Sequence, residues 1–295
     1  MDPSSLQHRL TDTEREQFEH DGYFIVEDAL PPDLNQRVAD VVDRLQADGR
    51  LSSAGHQLGV HGRVHHPDFL CLDKVFLDLV DHPRTFPKVW DILGWNIYIY
   101  HTHLGVSEPL GESFEPDGAT LRWHQDSLPS SRDMPEVEIP ARLSLKIGYF
   151  LTDVSEPGRG NFWVLPGSHT RKTLDLPPSE KGQPAGAIPL CSGPGSAVYF
   201  DRRLWHAASP NGWHSPRKFL AYGYGYRWLR TKDQMTIPPD MFERADPIRR
   251  QLLGFTSSEN NRFNPSDPDV PLKLWLEEHA PQVTPASSDG PPDPN

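Results

Sequence analysis

The residues best suited to chemistry in this sequence lie in two short stretches that are far apart in the chain. His124 and Asp126 stand in the first, on either side of Gln125, and His206 stands in the second. Successive side chains of an extended strand alternate faces, so His124 and Asp126 are expected to point the same way and Gln125 to point back. With His206 on a neighbouring strand, the three form a two-histidine, one-carboxylate ligand set, which favours Fe(II) and leaves coordination positions open.

Arg217 strengthens this interpretation. A His-x-Asp pair alone is weak evidence, because two polar residues near a strand end are common and a hydrogen-bonded surface turn is the alternative. Arg217 follows His206 on the next predicted strand. Its guanidinium can bind a carboxylate through two parallel hydrogen bonds. A surface salt bridge is the ordinary role of a lone arginine, but this spacing favours a carboxylate ligand beside the metal.

Several motifs around these residues resemble the phytanoyl-CoA dioxygenase family of iron- and 2-oxoglutarate-dependent oxygenases. They occur in the family's order over about residues 15–230. The motifs are Trp123-His124-Gln125-Asp126, Phe150-Leu151-Thr152-Asp153-Val154, Val164-Leu165-Pro166-Gly167-Ser168-His169, His206-Ala207-Ala208-Ser209-Pro210-Asn211 and Arg217. The resemblance is specific for the family, but it says almost nothing about the primary substrate.

The resemblance implies an assignment for the site. Fe(II) would be held by His124, Asp126 and His206, and 2-oxoglutarate would chelate the metal through its keto acid end. Its far carboxylate would be bound by Arg217. O2 is the oxidant, and succinate and CO2 are the co-products. Hydroxylation is the default outcome, while desaturation, epimerisation and ring formation begin with the same hydrogen abstraction. Because halogenating relatives replace the carboxylate ligand with a small residue, Asp126 predicts no requirement for chloride.

Two more residues are candidate contacts of the co-substrate. Lys146 lies in an otherwise apolar predicted strand, where a buried ammonium is costly unless it is paired. A 2-oxoglutarate carboxylate is one partner, and an ammonium that reaches the barrel rim is an equal alternative. Trp163 is a candidate wall of the co-substrate pocket, although core packing explains it as well. His169 is interpreted as part of a turn with a capping hydroxyl from Ser168, and not as a metal ligand.

Other histidines are interpreted as substrate-facing or solvated. Residues 50–70 carry four histidines among glycines without a regular period, which indicates a long loop. This loop and the segment at 105–118 are predicted to close over the site. His101 and His103 share a face of a predicted strand and are expected to line or flank the cavity. No carboxylate stands at strand spacing beside them.

The elements that must position these residues are mainly short strands. Turns rich in glycine and proline separate them, which favours a jelly roll or sandwich. The fold prediction is therefore mainly β with flanking helices, around a double-stranded β-helix (jelly-roll, cupin-like) core. The predicted strands lie at 23–26, 95–103, 119–124, 142–152, 161–165, 196–201 and 217–228.

Helices are predicted on both sides of this core. A capping box at Thr11–Glu14 opens a helix that runs to about His20. A second helix follows Pro31 and Pro32 and ends at Gly49. The remaining predictions are two short helices within 76–93, broken at Pro83 and Pro87, and helices at about 238–254 and 271–278.

Composition limits the function further. The 295 residues predict a single oxygenase domain over 1–280, with its jelly-roll core at about 95–230 and a disordered tail at 281–295. A net charge of −12 argues against a nucleic-acid partner. Two cysteines do not make a disulfide framework, and neither a signal peptide nor an apolar run of about 20 residues is present. A cytoplasmic protein without a membrane partner is expected, and its oligomeric state stays open.

Two functions of other classes remain as alternatives. One is a cupin-like hydrolase or isomerase that uses a divalent metal without 2-oxoglutarate, against which Arg217 argues. The other is a non-catalytic small-molecule-binding barrel, against which the intact ligand set argues. The main prediction is an oxygenase acting on a small molecule, such as a secondary metabolite. No CoA-binding groove can be identified in the sequence.

Overall fold

Two antiparallel sheets form the centre of the protein. The structure is a computed structural model, and it describes residues 1–51, 63–111, 121–126, 132–174, 183–234 and 236–282. The strands are β1 (Tyr23–Val26), β2 (Arg63–Pro67), β3 (Ile97–Ser107), β4 (Ser144–Phe150), β5 (Phe162–Val164), β6 (Ile188–Pro189), β7 (Ala197–Asp201), β8 (His206–Ala208) and β9 (Arg217–Tyr226). The larger sheet has the order β1-β7-β4-β9-β3-β2 and the smaller one β6-β5-β8.

Helices cover the outside of the larger sheet. They are α1 (Asp12–Asp21), α2 (Pro32–Ala47), α3 (Lys74–Leu77), α4 (Phe86–Leu93), α5 (Pro239–Arg244), α6 (Pro247–Leu252) and α7 (Pro271–His279). The capping box at the start of α1 forms as predicted, because Thr11 Oγ1 accepts from the Glu14 amide and Glu14 Oε2 accepts from the Thr11 amide. In the part of the chain that the structure describes, no helix is long and apolar enough to cross a membrane.

The two faces of the larger sheet have different tasks. On the outer face, Tyr222 and Tyr224 are fully buried, and their hydroxyls donate to the carbonyls of Phe76 (2.9 Å) and Val80 (2.7 Å). This face packs against the helices in one apolar core. The inner face packs against the smaller sheet, as the ring contact between Phe162 and Phe200 shows (5.0 Å between centroids). Two packed antiparallel sheets with flanking helices confirm the predicted fold class.

Gly148 keeps room for an aromatic ring on the inner face. A Cβ at this position would overlap the ring of Phe219 and lie 3.1 Å from Val198 Cγ1. Phe219 in turn supports the guanidinium of Arg217, which lies 4.4 Å above its ring. The glycine in β4 therefore allows the packing that places a candidate site residue.

Gly148→Ala is expected to lower the free energy of unfolding by about 1–3 kcal/mol, because the extra methyl group must displace the Phe219 ring. Urea unfolding of the purified variant measures this change. Gly193→Ala is the matched control, since a Cβ there meets no atom within 4 Å. Equal stability of the two variants would contradict the packing role of Gly148.

A β-bulge at Tyr100 redirects side chains of β3. The register with β9 shifts between Ile99 and His101. A bulge puts two successive side chains on one side of a strand. The ring of Tyr100 consequently lies across Gly223, where an added Cβ would be 2.9 Å from Tyr100 Cε1. Its hydroxyl accepts a hydrogen bond from Ser144 Oγ at 3.1 Å.

The structure corrects several predicted elements. The stretch 119–124 forms no strand in its described part, and only an isolated bridge pairs His124 with His206. The expected loop at 50–70 contains β2 at its end, while residues 52–62 lie outside the described residues. Pro87 does not break a helix, because it occupies the first turn of α4, where its missing N–H costs nothing.

Two predictions about loops and the tail fall mostly on residues that are not described. The segment 105–118 starts within β3, which runs to Ser107, and residues 112–120 lie outside the described residues. The same holds for residues 283–295 of the predicted disordered tail. Closure of the loops over the site therefore stays a prediction.

Candidate metal and co-substrate site

His124 and His206 are brought together by an isolated antiparallel bridge. The amide of each residue donates to the carbonyl of the other, at 3.0 Å in both directions. Directly opposed residues of an antiparallel pair present their side chains on the same side. The two imidazole rings accordingly lie 4.2 Å apart between centroids. Ser168 supports this pairing, since its hydroxyl accepts a hydrogen bond from the Trp205 amide at 3.0 Å and caps no helix.

Backbone carbonyls orient both imidazole rings. His124 Nδ1 lies 3.0 Å from the Arg122 carbonyl oxygen, and His206 Nδ1 lies 2.8 Å from the Leu204 carbonyl oxygen. An Nδ1–H that donates to a carbonyl leaves the Nε2 lone pair free for a metal ion. Burial, and secondarily the charge of His124, lowers the pKa of His206 to about 3. His206 is therefore neutral at ordinary pH, which is the form that binds metals.

Asp126 completes the ligand set. One ligand atom from each of His124, Asp126 and His206 lies within 4.8 Å of the others. Burial alone would raise the pKa of Asp126, but the neighbouring ammonium of Lys146 holds it well below its usual value. Two imidazoles and one carboxylate fit a divalent transition metal with open positions. Among the described residues, no other group of three or more histidine, cysteine, aspartate or glutamate side chains comes together in this way.

Gln125 points back, as the alternation of an extended backbone predicted. Its side chain is buried, and Nε2 donates to the carbonyl oxygens of Arg171, at 2.8 Å, and Arg203. These hydrogen bonds attach the segment that carries His124 and Asp126 to the backbone at Arg171 and Arg203. The segment thus keeps the geometry of a short extended stretch although it belongs to no sheet.

Lys146 faces the ligand set from the inner face of the larger sheet. Its Nζ lies 2.8 Å from Asp126 Oδ2, and its side chain is only 3% exposed. Burial disfavours the charged ammonium, but the carboxylate of Asp126 outweighs it and raises the pKa of Lys146. The alternative in which Lys146 extends to the barrel rim is wrong. Its partner in the structure is a candidate metal ligand.

Arg217 lies at the far end of the same inner face. Ser107 of β3 pairs with Arg217 of β9 on one side and with Arg63 of β2 on the other, so three side chains form a row across the sheet. Arg63 Nε donates to Ser107 Oγ at 3.2 Å. Burial, followed by the charge of Arg63, lowers the pKa of Arg217 to about 9. The guanidinium is still charged at neutral pH, and no salt bridge reaches it from the described residues.

A chain of aromatic rings connects Arg217 with the ligand set. His206 lies 5.1 Å from the ring of Phe162, and Phe162 lies 5.9 Å from the ring of Phe219. The guanidinium of Arg217 lies over the ring of Phe219. The side chains that connect the candidate metal site with the arginine are therefore apolar rings.

Trp163 lies on the other face of β5 from the rings that connect His206 with Arg217. Its neighbours Phe162 and Val164 are buried in the core between the sheets, and Val164 pairs directly with His206. Side chains alternate along β5, so Trp163 points to the opposite face. Phe162 takes the position that we expected for Trp163. Once Val164 is known to pair with His206, the alternation of side chains selects Phe162. The sequence alone does not give this register between β5 and β8.

His101 and His103 lie on the inner face, in line with the prediction. His101 is in one row with Gly223 and Lys146, and its Nδ1 lies 2.5 Å from Asp233 Oδ1. Asp233 also accepts a hydrogen bond from the Thr102 amide at 2.6 Å. This carboxylate comes from a distant part of the chain, so strand spacing had no means of revealing it. Asp233 therefore fixes the orientation of the His101 ring.

The comparison with protein families agrees with the geometry of the site. The model of the family described as Phytanoyl-CoA dioxygenase (PhyH) matches residues 18–219, which is more than half of the chain. This range includes the ligand set, Lys146 and Arg217. The match therefore covers every residue from which the candidate site is built.

Similar sequences carry related names. The dioxygenase trt7 of Aspergillus terreus is 25% identical over 254 residues, which cover 84% of this chain and 85% of that protein. The ectoine dioxygenase of Streptomyces anulatus is 24% identical over 231 residues, which cover 66% of this chain and 71% of the other. Both proteins are named as dioxygenases.

Solved structures share the fold. The epimerase SnoN, in complex with Fe3+, alpha ketoglutarate and nogalamycin RO, superposes with a TM-score of 0.58 at 19% identity and covers 83% of this chain and 94% of its own. HygX of Streptomyces hygroscopicus, with nickel and 2-oxoglutarate bound, has a TM-score of 0.58 at 14% identity and covers 80% and 94%. Together with the family match, these findings show that the chain belongs to the phytanoyl-CoA dioxygenase family of iron- and 2-oxoglutarate-dependent oxygenases.

Proposed function

We propose that this oxygenase holds Fe(II) with His124, Asp126 and His206, binds the far carboxylate of 2-oxoglutarate with Arg217, and oxidises a small molecule. The observation that carries the proposal is a three-ligand set connected, through the rings of Phe162 and Phe219, with a buried guanidinium that has no salt-bridge partner among the described residues. Iron, 2-oxoglutarate and O2 supply the power to break a C–H bond.

The protein's own contribution is positioning and exclusion of water. Carbonyl groups of Arg122 and Leu204 aim the imidazoles, and Gln125 anchors the backbone between His124 and Asp126. The rings of Phe162 and Phe219 lie beside His206 and Arg217, and apolar neighbours of this kind help to exclude bulk water. Lys146 and Arg217 provide two cations for a dianionic co-substrate, so we include Lys146 among its binding residues and leave Trp163 out.

The substrate class we propose is a small molecule of secondary metabolism. The names of the relatives support this class, since ectoine and nogalamycin RO are small molecules. Hydroxylation is the default reaction, and epimerisation remains open because SnoN is named an epimerase. The two free cysteines, Cys71 and Cys191, support a location in the cytoplasm.

Release of succinate tests this function. Purified protein with Fe(II), 2-oxoglutarate, O2 and a library of small molecules is expected to form succinate in proportion to an oxidised product, measured by mass spectrometry. The double variant His124→Ala/His206→Ala is the control and should form neither. A product that appears without consumption of 2-oxoglutarate would favour the metal-dependent hydrolase or isomerase. Binding of a molecule without any reaction would favour the binding protein.

A further inference from the structure

The ammonium of Lys146 neutralises the carboxylate of the candidate metal site. Nζ of Lys146 lies 2.8 Å from Asp126 Oδ2, and the two side chains are 3% and 11% exposed. Asp126 Oδ2 is also 3.8 Å from His206 Nε2, so this oxygen faces both the second histidine and the lysine. The positive charge of Lys146 and the negative charge of Asp126 thus balance each other next to the two imidazoles of the ligand set.

A divalent metal ion disturbs this balance. Bound by Asp126, it would share the charge of this carboxylate with Lys146, which lies 2.8 Å from Asp126 Oδ2. The ammonium would then lie near a dication in a site where charges are poorly screened, and like charges repel there strongly. A buried charge that loses its partner is costly. Lys146 therefore weakens the binding of a metal ion that arrives alone.

A dianionic co-substrate reverses the effect of the same ammonium. With Lys146 near the metal ligands and Arg217 further along the same face, the two buried cations would serve the two carboxylates of 2-oxoglutarate. The negative charge near the metal compensates the ammonium that Asp126 no longer neutralises alone. Lys146 thus opposes the complex with metal only and favours the complex with metal and 2-oxoglutarate.

We propose that Lys146 couples the two binding events, so that the metal ion is held tightly only together with 2-oxoglutarate. The inference rests on the proposed function, and it adds a regulation of metal loading to that function. Coupling between two ligands is reciprocal, so each ligand tightens the binding of the other by the same factor. Direct ligation of the metal by 2-oxoglutarate accounts for a part of this coupling factor. The charge of Lys146 makes the coupling factor larger.

Titrations with Mn(II) test the coupling without relying on activity. The dissociation constant of Mn(II) is measured from the electron paramagnetic resonance signal of the free ion, with and without saturating 2-oxoglutarate. Lys146→Met is expected to bind Mn(II) alone at least 10-fold tighter than the wild type, or about 1.4 kcal/mol. The factor by which 2-oxoglutarate tightens Mn(II) binding is expected to be at least 10-fold smaller in this variant.

Three variants serve as controls. Lys146→Arg keeps the charge and should keep the wild-type factor. Lys88→Met removes another buried lysine, which is paired with Glu14 at 2.6 Å, and should change neither titration. Lys146→Gln is a second uncharged variant, to be used if the methionine variant does not fold, as judged by thermal unfolding.

The outcomes separate this inference from the proposed function. An equal coupling factor in the wild type, Lys146→Met and Lys146→Gln would overturn the inference and leave the metal site intact. A wild-type protein that binds no Mn(II), with or without 2-oxoglutarate, would overturn the proposed function and the inference together. A reduced factor in the uncharged variants, with Lys146→Arg unchanged, would support it.

Discussion

Arg217→Ala is expected to weaken 2-oxoglutarate binding by ~30-fold or more while metal binding survives. The guanidinium is buried and still positively charged, its Nε has no hydrogen-bond partner, and no carboxylate among the described residues pairs with it. A charged contact between an arginine and a carboxylate in such a pocket is worth about 2–5 kcal/mol when it is truncated. Removal of Arg217 leaves the co-substrate without that contact.

Calorimetric titration of 2-oxoglutarate into the protein with a redox-inert divalent metal measures this loss. Arg227→Ala is a suitable control. Arg227 lies just beyond the end of β9 and is also buried, but it donates a hydrogen bond to the carbonyl of Phe255 at 3.0 Å. The control should bind 2-oxoglutarate like the wild type. Unchanged affinity in Arg217→Ala would show that the far carboxylate binds elsewhere, and the role of the arginine would then have to be abandoned.

Asp126→Ala is expected to lower metal affinity by on the order of 100-fold or more and to abolish turnover with it. The variant removes the one carboxylate of the ligand set and leaves the Lys146 ammonium uncompensated beside two imidazoles. Loss of one partner of a buried charge pair costs about 3–5 kcal/mol, and a missing ligand adds to this cost. The dissociation constant of Mn(II) and the rate of succinate formation are the two measurements.

The double variant Asp126→Ala/Lys146→Met separates the two causes. It removes the unpaired ammonium, so it should recover a part of the lost metal affinity but not the catalytic turnover. Full activity of Asp126→Ala would contradict the ligand assignment. The same site predicts that the product of the wild-type enzyme is independent of chloride, because Asp126 occupies the position that halogenating relatives leave open. A chlorinated product would overturn the assignment.

Residue types and their order were sufficient to predict the family, the fold class and the candidates for the site. The sequence shows these candidates without any tertiary structure: a histidine and an aspartate at strand spacing, a second histidine and a later arginine. The capping box of α1 and the Pro-initiated helix α2 were predictable for the same reason, since caps and turns depend on neighbouring residues. The bounds of α1, α2, β1 and β7 followed within a few residues, while β2 and β6 were not predicted and the stretch 238–254 is divided into α5 and α6.

Pairing between distant strands was not predictable from the sequence. Whether Phe162 or Trp163 faces the cavity depends on the register of β5 against β8, and a shift by one residue would exchange the two rings. The missing strand at 119–124 has a similar cause. That segment is held by two mutual hydrogen bonds between His124 and His206 and by Gln125, and not by a ladder.

Partners of the buried charged groups were decided by the tertiary structure alone. The sequence by itself determined that Lys146 stands in an apolar strand and needs a partner, because a buried ammonium is costly without one. Only the fold decided that the partner is Asp126, that Arg63 stands in one row with Arg217, and that Asp233 orients His101. The physical reason is that charge pairing acts through space over a few ångströms, and contacts between residues far apart in the chain exist only after the sheets have packed.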